Sequence, residues 1–82
     1  MSVEVAIYSR RGCHLCEVAE SLVREVNQEV VFDLQVIYID GDVGLEKEYG
    51  EEVPVTFING KRHDYFKVDR TRFIEAVLHP HQ

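Results

Sequence analysis

A chain of 82 residues makes one domain, near the small end of what can bury a core unaided. Hydrophobic residues at 45% and charged residues at 29% are the balance of an ordinary globular protein and exclude a disordered one. Nine basic against fifteen acidic residues leave a net charge of −6, which argues against nucleic acid or an anionic membrane as partner.

The start, Met1-Ser2-Val3-Glu4, carries no basic region followed by an apolar stretch and a cleavage site. No apolar run approaches the roughly 18 residues of a membrane span, so a cytoplasmic address is expected. Residues 3–8 alternate loosely and predict a strand, closed by Ser9-Arg10-Arg11-Gly12, a loop whose glycine permits a tight approach. From there Leu15, Val18, Ala19, Leu22, Val23 and Val26 follow the stripe of an amphipathic helix that runs to Asn27 or Gln28. Residues 32–39 begin as alternation and end as a continuous apolar run, which predicts a strand covered on both faces at its far end. Strand, helix and strand in that order imply a parallel crossover.

In residues 44–50, Leu45 and Tyr49 share a face, predicting a short helix with Gly50 as its left-handed stop. Val55–Ile58 and Lys61–Tyr65 flank Asn59-Gly60, the strongest short hairpin signal, so the two segments should pair antiparallel. Asp69 is placed to cap a last helix over Arg70–Leu78, with Phe73, Ile74, Val77 and Leu78 as its apolar stripe and Pro80 forbidding continuation. The order is β-α-β-α-β-β-α, a fold of the α/β class.

Two cysteines, Cys13 and Cys16, stand at the corner where the first strand gives way to the first helix. A thiol attacks a disulfide only as the thiolate. Free backbone N–H groups and the positive end of the macrodipole favour an anion at a helix start, and Arg10 and Arg11 lie close by. Cys13 is therefore expected to ionise readily and to attack, with Cys16, one turn on, as the resolving thiol. In a reducing compartment such a pair is more often catalytic than a structural staple. Two other readings stay open: inert buried cysteines, or half of a zinc site. A four-thiolate site needs a second C-x-x-C, which is absent, and His14, His63, His79 and His81 give no H-x(3–5)-H spacing, so no metal is expected. His14 has two readings of its own. As an imidazolium it steadies the thiolate and makes the disulfide more oxidising; as a neutral exposed side chain it takes no part.

Taken together, the element order, Tyr8-Ser9-Arg10-x-Gly12-Cys13-x-x-Cys16, Val53-Pro54 and Phe57-Ile58-Asn59-Gly60-Lys61 resemble a glutaredoxin of the thioredoxin superfamily over nearly the whole chain. Cys13-His14-Leu15-Cys16 is similar to a group of small bacterial glutaredoxin-like proteins. The resemblance implies a thioredoxin-like fold, a four-stranded mixed sheet flanked by helices. It also implies Cys13 as nucleophile, Cys16 as resolving cysteine, and Pro54 as a cis proline that lies against the active-site disulfide. With that bond cis, the Val53 backbone would pair with an extended substrate. Read without the family, Pro54 has only to precede a strand rather than sit within it. Arg10 matches the basic residue that holds a glutathione carboxylate.

The departures carry expectations of their own. Glutaredoxins usually place a Gly-Gly pair between the last strand and the last helix, where bare backbone lets glutathione approach. Residues 62–69 have no glycine, which counts against glutathione as co-substrate. Arg11 and His14 stand where proline is common. Ile7 stands where thioredoxins carry a buried acid, so proton transfer at Cys16 needs another group, or water.

The function implied is a thiol–disulfide oxidoreductase that cycles between a dithiol and a Cys13–Cys16 disulfide, with no cofactor beyond that disulfide. Its substrates would be protein or small-molecule disulfides. Leu15, Val53 and Tyr8 would form an apolar rim, and Arg10 and Arg11 would attract carboxylates. The electron donor would be glutathione or, with the glycines missing, a thioredoxin-reductase-type flavoprotein, and the protein a monomer. One alternative is an iron–sulfur carrier in which two subunits each give Cys13 to a bridging cluster, against which the retained Cys16 counts. Another is a binding module with vestigial chemistry. Anaerobic reconstitution with a visible spectrum tests the first, and the acidity of the Cys13 thiol tests the second.

Overall fold

The computed structural model describes residues 3–80, so His81 lies outside the described residues. The elements are β1 (Glu4–Ser9), α1 (His14–Asn27), β2 (Asp33–Tyr38), α2 (Val43–Tyr49), β3 (Val55–Ile58), β4 (Lys61–Tyr65) and α3 (Arg70–Leu78), in the predicted order. They build a mixed sheet in the order β2-β1-β3-β4. β1 pairs parallel with β2, Ile7 against Val36, and antiparallel with β3, Ile7 against Thr56. β3 and β4 form the predicted hairpin. Asn59 and Gly60 both take positive φ, 50° and 80°, as that tight turn requires. No helix among the described residues is long and apolar enough to cross a membrane.

Alternation along β1 buries Val5, Ile7 and Ser9 on one face. There Val5 and Ile7 meet Val23 and Val26 of α1 and Phe73 and Val77 of α3, with Phe32 and Ile58 completing the cluster. Phe32 packs edge-on against Phe73, ring centres 5.6 Å apart. Asp69 caps α3, accepting the N–H of Arg72 at 2.9 Å. Arg70 reaches back to Glu25 of α1 and to Glu29 just past its end, tying the two helices together at their exposed edge. A second, smaller cluster gathers Cys16, Ile39, Tyr49, Val53 and Val55, with Tyr8 stacked on Tyr49 at 4.5 Å.

The structure corrects four expectations. β2 is an edge strand and is not covered on both faces. The residues flanking it, Phe32 and Ile39, are the buried ones, whereas Tyr38 is exposed and holds Arg11 over its ring. The buried stripe of α1 is Cys16, Ala19, Val23 and Val26, and Leu15 and Val18 are each half exposed, because the helix rests on the sheet along a line one residue further round. Leu78 is likewise exposed, as the last residue of α3. Gly50 is not left-handed but right-handed, with φ −53°. It is needed for space: a Cβ there would collide with the Glu46 carbonyl oxygen and stand 3.2 Å from an Arg10 Nη.

Candidate active site

The end of β1 and the start of α1 form one corner, turned by Gly12 at φ 74°. Cys13 is extended and serves as the cap of α1: its Sγ accepts the Cys16 N–H at 3.2 Å, and its carbonyl accepts the Glu17 N–H at 3.0 Å. Both cysteines are free thiols. Cys13 is half-buried, whereas Cys16 faces the core and is fully buried. Burial pushes the Cys16 thiol up to about 11, helped by its hydrogen bond with Cys13, so it stays protonated at neutral pH. The corner thus presents one sulfur toward solvent under an amide donor, with a protonated sulfur behind it.

The Val53–Pro54 bond is cis. Both side chains are buried, and Val53 packs in the same cluster as Cys16, with Cys13 against it. The Val53 N–H donates to the Tyr49 carbonyl at 3.0 Å, so it is not free to donate to an extended substrate. Val53 therefore lines the floor of the site, and the exposed rim is Leu15, with Tyr8 half-buried.

The two arginines diverge. Arg10 turns toward α2, where its guanidinium lies 3.9 Å from Glu46. Arg11 turns toward β2, its guanidinium 4.3 Å above the centre of the Tyr38 ring, while its backbone N–H donates to the Asp40 carboxylate at 3.1 Å. The Tyr38 hydroxyl in turn donates to Glu20 at 3.2 Å. His14 is exposed and lines a groove of about 420 Å³ along the outer side of α1, with Val18, Leu22 and Arg70. Among the described residues, no three His, Cys, Asp or Glu side chains cluster closely enough to hold a metal ion.

Two residues, one at the end of β1 and one bonded to Pro54, carry features that sequence reasoning missed. Ser9 is fully buried and its Oγ has no hydrogen-bond partner. The alternation of Val5 and Ile7, carried one step further, would have placed it on the face that meets α1. Phe66 follows β4 at φ 67°, its N–H donating to the Pro54 carbonyl at 2.8 Å while the Lys67 N–H closes a tight turn onto Tyr65 O at 2.8 Å. Nothing in the sequence marks an aromatic residue for that left-handed conformation.

Comparison with known proteins places this geometry. A family profile described as Glutaredoxin-like domain (DUF836) matches residues 4–78. An uncharacterized protein of Mycobacterium tuberculosis is 37% identical over 75 residues, covering 84% of this chain and 76% of that protein. Among solved structures, the solution structure of a Nitrosomonas europaea protein superposes with a TM-score of 0.79 at 30% identity, over 94% of this chain and 93% of that one. An X-ray structure from X. campestris gives 0.75 at 28%, over 95% and 99%. A thioredoxin mutant from Halobacterium salinarum gives 0.66 at 21%, over 93% and 72%, a likeness of fold. Matched from β1 to the end of α3, the chain belongs to the glutaredoxin-like domain family and has a thioredoxin-like fold, which together support a redox-type role.

Proposed function

We propose that the protein is a thiol–disulfide oxidoreductase cycling between a Cys13/Cys16 dithiol and a disulfide. The observation that carries the reading is the asymmetry of the pair: a half-buried sulfur capping a helix under the Cys16 amide, and a fully buried, protonated one a single turn behind it. An amide donor binds an anionic acceptor more strongly than a neutral one, so this corner suits a thiolate at Cys13.

In the first step the Cys13 thiolate attacks a substrate disulfide. A Cys13–substrate bond forms, and one substrate sulfur leaves as a thiolate that takes a proton from water. The Cys16 thiol then loses its proton and attacks the Cys13 sulfur. The bond to substrate breaks, the second substrate sulfur departs as a thiol, and the Cys13–Cys16 disulfide remains. Two electrons have passed to the substrate; a dithiol donor restores them through the reverse exchanges.

The donor we favour is a flavoprotein reductase acting on the disulfide rather than glutathione, because the Phe66 side chain occupies the turn where bare backbone would be needed. The arginines, drawn to Glu46 and Tyr38, leave Leu15 as the principal exposed contact beside Cys13, which suits an apolar stretch flanking a protein disulfide. The test is insulin reduction with each donor, read alongside mass spectrometry of the protein. Wild type should become a species lighter by two hydrogens, Cys16→Ser should trap a mixed disulfide, and Cys13→Ser should do neither. A Cys13→Ser variant that still reduces insulin would end the proposal.

A further inference from the structure

Ser9 closes β1 on the face that meets α1, and Cys16 is the first buried residue of α1 on its side of that interface. Both are fully buried, and the Ser9 hydroxyl lies close enough to bear on the Cys16 thiol. In the dithiol form that hydroxyl makes no well-formed hydrogen bond, and the group it acts on is the neutral Cys16 thiol, a weak acceptor. A buried hydroxyl without a good partner is costly, and Ser9, unlike the equally unpartnered Thr56, bears on a sulfur that must become charged during the proposed cycle. The only anion the proposed cycle creates at this depth is the Cys16 thiolate.

We propose that Ser9 is the positioning residue of the resolving step, its hydroxyl donating to the Cys16 sulfur as that sulfur gives up its proton and attacks Cys13. The inference rests on the dithiol–disulfide cycle proposed above. Ser9 is not the base: a neutral hydroxyl does not take the proton, which passes through water to the departing substrate sulfur. What it supplies is a donor for the anion in a place where the packed neighbours Ile39, Val53 and Val55 supply none. The titratable groups facing Cys16 are Cys13 on its own turn, Tyr8 of β1 and Tyr49 of α2, while the Arg10 guanidinium is turned to Glu46. Of the groups acting on the thiol, burial and Cys13 raise it; the Arg10 backbone and the Ser9 hydroxyl pull the other way. The hydroxyl thus acts where Ile7 leaves no acid.

The experiment separates the two exchanges. A mixed disulfide between Cys13 and 5-thio-2-nitrobenzoate is formed in acid, the pH is raised, and release of the coloured thiol is followed. Removing a hydrogen bond to an anion lowers the thiolate fraction by about ten- to 150-fold. The more basic sulfur regains part of that in nucleophilicity, so release should slow by about three- to twentyfold. Ser9→Ala and Ser9→Val should show this loss as a displacement of the log rate–pH line toward higher pH. Ser9→Thr, which keeps the hydroxyl at the shape of valine, should run like wild type. The Val and Thr variants carry the comparison should Ser9→Ala not fold. Equal release rates for Ser9→Val and Ser9→Thr overturn the role of Ser9. Absence of any second release in wild type overturns the dithiol cycle instead.

Discussion

Phe66 offers a direct way to ask why this chain lacks the glycines that its resemblance to glutaredoxins leads one to expect. The residue sits at φ 67°, in a three-residue turn closed by the Lys67 N–H on Tyr65 O. A left-handed conformation costs a residue with a Cβ about 1–2 kcal/mol, which Phe66→Gly would recover. Against that, the variant loses the edge-on contact with Tyr65, 5.0 Å between ring centres, worth about 0.5–1.5 kcal/mol. It also gains unfolded-state freedom costing about 0.5–1 kcal/mol. Both rings are nearly half exposed, 44% and 48%, so little further burial is lost. These terms nearly cancel, and Phe66→Gly should leave stability within about 1 kcal/mol of wild type in urea unfolding. Its effect should appear in glutathione use instead: bare backbone beside Pro54 should raise the rate at which glutathione resolves the Cys13 mixed disulfide in a Cys16→Ser background. A loss of more than about 3 kcal/mol would show that Phe66 is a packing anchor. Unchanged stability with no gain in glutathione rate would show that the side chain is not what excludes glutathione.

Three further expectations follow from single side chains. Gly50→Ala should destabilise the protein by about 1–3 kcal/mol although alanine is the better helix former, because its Cβ meets the Glu46 carbonyl; a thermal melt at or above wild type refutes the collision. Thr56→Val should be stabilising by about 1 kcal/mol, since the Thr56 Oγ1 is buried without a partner, and a urea midpoint that falls would mean the hydroxyl is bonded in solution. His63 is held below its ordinary range, first by burial and then by Arg72, so the folded chain binds fewer protons than the unfolded one as pH falls toward about 6.5. Its contribution is therefore complete above that value and declines through mildly acidic pH, and His63→Gln should lose less Tm than wild type over that interval.

The sequence was most informative where a local rule acts alone. Asn59-Gly60 dictates the hairpin, Asp69 caps α3, and the stripe of α1 differs from the expected one by a small rotation. The corner holding Cys13 follows from a strand pattern that stops and a helical one that starts. What was not legible depended on partners distant in sequence. The apolar run ending in Ile39 gives no sign that β2 lies at the sheet edge, because edge and centre are decided by where β3 inserts. Gly50 reads as a helix stop, yet the Glu46 carbonyl and the Arg10 side chain explain it. Arg10 and Arg11 look like a matched pair of cations beside the thiols; the acid and the ring that draw them apart, Glu46 and Tyr38, come from two other elements.

The two polar groups that bear on the thiols divide between them in a way that the corner itself explains. Cys13 ends the extended stretch, so its Sγ lies against the first free amides of α1 and takes the N–H of Cys16. Cys16 has entered the helix and turned to the sheet, where the groups that favour its ionisation are the Arg10 backbone and one side chain, the Ser9 hydroxyl. β1 meets that turn with its last inward position, which alternation assigns to residue 9. An apolar side chain there would extend the Val5–Ile7 core at no cost in unsatisfied polar groups, as Thr56→Val is expected to do across the ladder. A hydroxyl is the smallest group that gives the inner sulfur a donor while leaving the neutral thiol buried. On the proposed cycle, its poor partnering in the dithiol form is the consequence of serving a charge that exists only during exchange.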